Sequence, residues 1–425
     1  MTDIKRLLER NEQVNDWRIT EKSTVSYELF FVHDKLETVR ATDTVDTRVT
    51  VYADHDGKKG DSTFAVYRSM SEADIAAKIS AAVNRAKLVF NEPYDLPAGG
   101  TLEAELPTNM QDGDMRELGR RIADAVFAAD AGTGSSINAC EIFLYRDTVR
   151  VRNSRGVDKT QRTHRVMIEA IPTFTDETES VELYEDYRFT VFEPEKVTAE
   201  IAARMQEVKD RRLAVKPQTP MTVNVLLRPQ EIRRLLGTLA RDVNYINIYS
   251  HANLHKVGDD LQPGCIGDRL TVTMKGIVAG SERSACFDDD GAELHDTCVI
   301  KDGVVTNSYG STRYGQYLQV AVPSGELPCI QAAGGTLTAA EIEKAPYIEC
   351  ASLSGLQLDR YNDYIGGEIR LAYYYDGEKR IPVTGISMSG KLSQVLSSLR
   401  LSEEVGIDGN YEGPQRLLMR DITIL

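Results

Sequence analysis

Few residues of this 425-residue chain have the type and spacing to do chemistry. The only close pair of histidines sits in Ser250-His251-Ala252-Asn253-Leu254-His255. On a helix, positions i and i+4 share a face, so His251 and His255 could hold a divalent cation with a carboxylate such as Asp259. A zinc-protease helix would carry a glutamate directly after its first histidine to take a proton from bound water. Here that position is Ala252, and the ordinary reading is a polar, hydrogen-bonded surface pair. Asp288-Asp289-Asp290-Gly291 lacks the alternating ligands and late glutamate of a calcium loop, so it reads as a turn with solvated carboxylates. Gly334-Gly335 could cradle an anion ahead of a helix, but a plain loop followed by a Thr338…Glu341 capping box explains it. Cys286 and Cys298 have no histidine beside them and read as small buried hydrophobes. Trp17 and the Tyr373-Tyr374-Tyr375 run read as packing, because basic residues are sparse around them.

The composition narrows the partners. Fifty Lys and Arg stand against 65 Asp and Glu, a formal charge of −15 that repels phosphate backbones and anionic lipid. Nucleic acid and membrane surfaces are therefore excluded as direct partners at this stage. The six cysteines (Cys140, Cys265, Cys286, Cys298, Cys329 and Cys350) form no Cys-x-x-Cys and no framework, as expected of a reduced, intracellular protein. The opening residues form a charged helical pattern without an apolar leader, and no apolar run approaches the ~18 residues of a membrane span. A cytoplasmic location is the expectation.

These candidates must be positioned by a fold of the α+β class, read as two small α+β segments followed by a large β-rich domain. In the first segment (1–100), strands at 24–31, 47–52 and 63–67 precede a helix that Ser71 and Asp74 start. Its apolar stripe is Ile75, Ile79 and Val83, with Ala86 and Phe90 near the same face. The second segment (101–220) opens with a helix capped by Asp114 and striped by Leu118, Ile122 and Val126. Strands at 141–145, 148–153, 163–170 and 184–192 follow. It closes with a helix that Pro194 starts and Pro217 and Pro220 stop, with Val197, Ile201, Met205 and Val208 on one side. From 221 to 425 the texture is β-rich. A strand at 223–227 leads into a helix at 229–240 carrying Ile232, Leu235, Leu236 and Leu239, and short helices are expected at 338–344 and 392–399.

Four stretches in this order resemble the TldD/PmbA metallopeptidase family. They are Leu36-Glu-Thr-Val-Arg-Ala, running on to Val49-Thr-Val-Tyr and the Ser71 helix; Val149-Arg-Val-Arg-Asn-Ser-Arg-Gly; Phe287-Asp-Asp-Asp-Gly with Val299-Ile-Lys-Asp-Gly; and Gly366-Gly-Glu-Ile-Arg with Pro382-Val-Thr-Gly-Ile-Ser-Met-Ser-Gly-Lys. In the TldD branch a His-Glu-x-x-x-His helix and a distant cysteine hold zinc, and the glutamate takes a proton from the metal-bound water. Set on Pro229, the resemblance places Gly237 and Asp242 at the histidine slots and Thr238 at the glutamate slot. Gly406-Ile-Asp-Gly puts Asp408 at the thiolate slot. No His-Glu-x-x-x-His occurs anywhere in the chain. The PmbA branch, also called TldE, shows the same loss and an apolar helix similar to Leu235-Leu236-Gly237.

The resemblance thus implies a PmbA/TldE-like subunit that binds no metal or cofactor and is inactive alone. It would pair with a TldD-type zinc subunit, the two together processing or degrading small or unfolded peptides, as in peptide maturation. Zinc is then expected only in the partner, and an extended peptide would be held by strand addition. The family's label as a modulator of DNA gyrase finds no support in the charge. Two other readings stay open: an independent metallohydrolase built on His251 and His255, and a homodimeric peptide-binding protein without a protease partner.

Overall fold

The computed structural model describes residues 3–111, 113–130 and 134–425. The first two segments share one eight-stranded sheet. Its centre is Asp16–Val32, which pairs antiparallel with Lys35–His55 on one side and Ser136–Asn153 on the other. Lys58–Val66 extends the sheet outward on the first side, and Asp158–Thr175 and the parallel strand Thr101–Glu105 extend it on the second. The linker near Pro93–Gly100 therefore leaves the sheet unbroken and separates two hydrophobic cores instead. In one core, Glu72–Ala86 packs Ile75, Ile79, Ala82 and Val83 against Val49, Val51 and Phe64. In the other, Met115–Ala128 and Pro194–Leu213 pack Ile122, Val126, Ile201 and Met205 against Ile142 and Ile168.

Local signals explain where these helices start. Ser71 and Asp74 form a reciprocal capping box, and Asp114 accepts from the Arg116 N–H. The first helix stops at Ala86, so Phe90 is off its face: it is exposed and meets the His55 ring edge-on. The strands run longer than their apolar alternation. Residues 141–145 and 148–153 belong to one strand, Ser136–Asn153, because Asp147 stays in the ladder. Its carboxylate accepts from the Thr24 hydroxyl at 2.5 Å and pairs with Arg165 at 2.7 Å.

From residue 221 onward a six-stranded and an eight-stranded sheet enclose a large core, with a smaller cluster of Leu226, Ile342, Tyr347 and Leu418 beside it. Met221–Leu227 lies between Leu417–Ile424 and the parallel strand Tyr347–Leu353, and delivers the chain to the helix Pro229–Asp242. Proline at the first helical turn fits there, since that position's N–H has no partner within the helix. Ile232, Leu235, Leu236, Leu239 and Ala240 on this helix are all buried. Thr338 and Glu341 form the capping box, although the helix is only Ala339–Ile342.

Side chains clasp this domain to the shared sheet. Arg313 donates to Asn91 Oδ1 at 2.7 Å, Tyr317 Oη donates to the Glu92 carbonyl at 2.6 Å, and Arg18 pairs with Asp290. The acidic turn is therefore less solvated than its composition suggests. Asp288 is buried, accepting from the N–H groups of Asp290, Ala292 and Glu326. Cys286 and Cys298 are only partly buried, unlike Cys140, Cys329 and Cys350.

Candidate functional site

The helix Pro229–Asp242 carries Gly237, Thr238 and Asp242, three of the four residues that the sequence resemblance sets at zinc-site slots. At Gly237 the helix lies close to a neighbouring strand: an added Cβ would sit 3.2 Å from Ile330 Cδ1. Thr238 turns its hydroxyl back onto its own helix, donating to the Arg234 carbonyl at 2.8 Å. Asp242, 2% exposed, is saturated. One carboxylate oxygen accepts from the Leu254 N–H at 2.9 Å and from the Arg360 guanidinium; the other accepts from the His255 N–H at 3.0 Å and from His255 Nδ1 at 2.7 Å.

Because an ionised carboxylate only accepts, Nδ1 of His255 is the donor and its Nε2 is the open acceptor. Burial lowers the His255 pKa, against the upward pull of Asp259. The imidazole is therefore held neutral beside an arginine that neutralises Asp242.

The fourth position, Asp408, ends the strand Val405–Asp408 and accepts from Arg233 Nη1 at 3.1 Å. Gly409 makes that approach possible. Its φ is +56°, and a Cβ there would lie 2.2 Å from Arg233 Nη1. The four positions thus offer one glycine, one self-bonded threonine and two carboxylates already matched to arginines. Zinc needs three or four convergent N, S or O donors, and this set does not fit it.

The alternative pair is not formed either. The helix Tyr245–Tyr249 ends before His251, which has φ +56° and is exposed, so the i, i+4 alignment with His255 is absent. Asp259 closes a turn by accepting from the Lys256 N–H at 3.0 Å. Among the described residues no three His, Cys, Asp or Glu side chains converge as a metal-holding group.

Asp408 and Arg233 also reach a cavity of about 750 Å³ that the sequence reading missed. Its walls come from the strand Glu185–Phe189, the helix Pro194–Leu213, the start of Pro229–Asp242 and the 407–410 turn. Charged groups face each other across it. Glu207 binds Arg228 at 2.6 Å and also pairs with Arg204. Burial raises the Glu185 carboxyl despite Arg204 at 3.6 Å, and Tyr187 Oη has no hydrogen-bond partner among the described residues. The lining residues come from five separate stretches, 185–207, 228–233, 282–283, 328 and 407–410. Nothing in their spacing marks them as neighbours.

Residues 220–425 match the model of the PmbA/TldA metallopeptidase C-terminal domain. The C-terminal domain, residues 220–425, belongs to the PmbA/TldD family. Three solved structures share its fold at 14% sequence identity, each covering 99% of the chain. A protein described as a modulator of DNA gyrase from Bacteroides thetaiotaomicron is matched over 97% of its own length with a TM-score of 0.82. TldE from Thermococcus kodakarensis is matched over 98% with a TM-score of 0.80. A second protein described as a modulator of a DNA gyrase, from Thermotoga maritima, is matched over 99% with a TM-score of 0.77. No curated protein sequence matches the chain.

Within the PmbA/TldD fold, the hairpin Asn153-Ser154-Arg155-Gly156 has a clear structural task. Ser154 Oγ and Arg155 Nε donate to the buried Asp16 at 2.6 and 2.9 Å, and Lys59 Nζ joins them at 2.7 Å. Asn153 accepts from the N–H groups of Arg155 and Val157, closing the turn. No helix of the described residues is long and apolar enough to cross a membrane.

Proposed function

We propose that this chain is a PmbA/TldE-like, non-catalytic subunit that works with a zinc-bearing TldD-type chain in cleaving small or unfolded peptides. The observation that carries this reading is the state of the four slots. Gly237 has no donor, Thr238 is bonded to its own helix, Asp242 is consumed by Arg360 and His255, and Asp408 is held by Arg233. Activating water at neutral pH needs a metal or a free base near the scissile carbonyl, and none of these side chains is available for either task. The family membership of residues 220–425 and the fold shared with a TldE support the same assignment. What remains to the chain is to form walls, and the cavity beside Asp408 is the surface suited to contact an extended substrate.

The purified chain, alone and mixed with a TldD-type partner, would be assayed for metal content and for cleavage of an unstructured peptide. The reading expects no stoichiometric zinc and no cleavage by the chain alone, with cleavage appearing in the mixture. Chelator-sensitive cleavage by the lone chain would overturn it.

A further inference from the structure

The cavity beside Asp408 holds acceptors that its own walls do not supply with donors. One wall is the helix Pro194–Leu213, on which Lys196, Glu200, Arg204 and Glu207 recur at steps of three or four and so share a face. Another is the strand Glu185–Phe189, which pairs with Asp158–Thr175 and, among the described residues, with no other strand. Along it Glu185, Tyr187 and Phe189 alternate onto one side. Arg204 Nε reaches Glu185 at 3.6 Å, so that side faces the helix.

Four of the cavity's arginines are already committed. Arg204 and Arg228 both pair with the buried Glu207, Arg233 holds Asp408, and Arg188 is shared by Asp186 and Glu282. Arg283, the remaining arginine of the lining, is exposed and pairs with no described carboxylate. Glu185 is left with Arg204 at 3.6 Å and Glu200 with Lys196 at 3.9 Å, and neither accepts a hydrogen bond from a described residue. Burial raises both carboxyls, and the pull of Arg204 and Lys196 does not offset it. Burial also pushes the Tyr187 phenol above its ordinary value, with the charges of Glu185, Glu200 and Glu207 adding to it. Its Oη is shut off from solvent, yet it bonds to none of them.

We propose that Glu185, Tyr187 and Glu200 receive the cationic side chain of a lysine or arginine in an extended peptide. Such a side chain brings donors and no acceptor, which is what three acceptor-bearing groups without partners require. A neutral donor could satisfy the phenol but would leave both carboxylates without a counter-charge. Phe189 and Val197 in the same lining give the aliphatic stem an apolar surface to lie on. The proposal rests on the reading that this cavity faces substrate, and adds to it a preference among substrates.

Calorimetric titration of the full chain tests it. Two acetylated, amidated glycine–serine peptides serve as probes, one with a central lysine and one with norleucine, so that the ammonium is their only difference in charge. The lysine peptide is expected to bind at least about tenfold more tightly. E185Q and Y187F should each remove most of that advantage with unchanged circular dichroism. E193Q, which neutralises an exposed carboxylate of the same lining, should keep it. Equal affinity for the two peptides, binding of neither, or a loss in E193Q as large as that in E185Q would overturn the proposal. Binding is read on the lone chain without cleavage, so such a failure leaves the proposed function to be judged by its own metal and cleavage assays.

Discussion

Replacing Asp16 with asparagine probes the linkage that joins the family hairpin to the N-terminal core. Asp16 is 3% exposed and accepts from Lys59 Nζ, Arg155 and the Ser154 hydroxyl. Burial alone would raise its pKa, but the hydrogen bonds from Arg155, Lys59 and Ser154 outweigh it and hold the carboxyl at about 2, below its ordinary 3.8. That difference favours the charged, folded form by about 2.4 kcal/mol. The substitution also leaves the buried Lys59 ammonium with the Tyr94 carbonyl at 3.0 Å but no carboxylate, and breaking a buried pair from one side costs about 3–5 kcal/mol. A loss of roughly 2–5 kcal/mol is therefore expected at pH 7. The sign with pH follows from the depressed value: the contribution of Asp16 is complete above about pH 4 and disappears as pH falls toward 2. The gap between wild type and D16N should close over that interval. Trp17, the only tryptophan, donates its backbone N–H to Ser154 Oγ and lies in this core, so its fluorescence in a urea titration reports the unit concerned. A D16N loss under about 0.5 kcal/mol, or a gap unchanged between pH 5 and pH 2, would refute the reasoning.

Three further outcomes follow from the same structure. Arg360→Met strips the guanidinium from the buried Asp242 while His255 remains, so thermal unfolding should show a loss of about 3 kcal/mol, and D242L/R360M should recover part of it. The depressed His255 pKa adds stability that is complete above the ordinary imidazole value and is lost as pH falls through the folded one. An H255N variant should therefore lose less stability than wild type between pH 7 and pH 5, and equal losses would count against a buried neutral imidazole. Ser71→Ala removes one arm of the capping box and should lower the urea midpoint by an amount equivalent to about 1 kcal/mol, with the slope unchanged.

How much of this was legible beforehand depended on whether the signal was local. Helix starts at Ser71, Asp114, Pro194, Pro229 and Thr338 could be placed because caps and proline act within one turn. The α+β organisation followed from apolar periodicity, but the cores cross the expected boundaries: Tyr27, Leu29 and Phe31 of the first segment pack with the second segment's helices. Strand lengths were cut short, because polar residues such as Asp147 find partners across the sheet that no local window contains. The continuity of one sheet through both early segments was hidden for the same reason: Arg18 pairs with Asn153 far along the chain. Within the site, Asp242 and His255 were each singled out, but for different schemes. Their contact, and the arrival of Arg360, depends on a left-handed residue at His251 that redirects the loop.

On the proposed reading, that contact bears on how the scaffold could be held without a metal. A zinc ion bridging a helix and a distant loop cross-links the core, and losing its ligands would ordinarily leave polar groups stranded inside. Here the helix end is tied instead by Asp242 to the 254–255 backbone, to the His255 ring and to Arg360, while Arg233 ties the middle of the same helix to the turn after Asp408. Each replacement bond is directional and local to one pair, so the helix is held without a shared centre that chelation could remove. A positively charged guanidinium stands against each of the two carboxylates and opposes a second cation at either position. On the proposed reading, the ion pairs that hold the helix are the same groups that oppose a metal at the positions matched to zinc ligands.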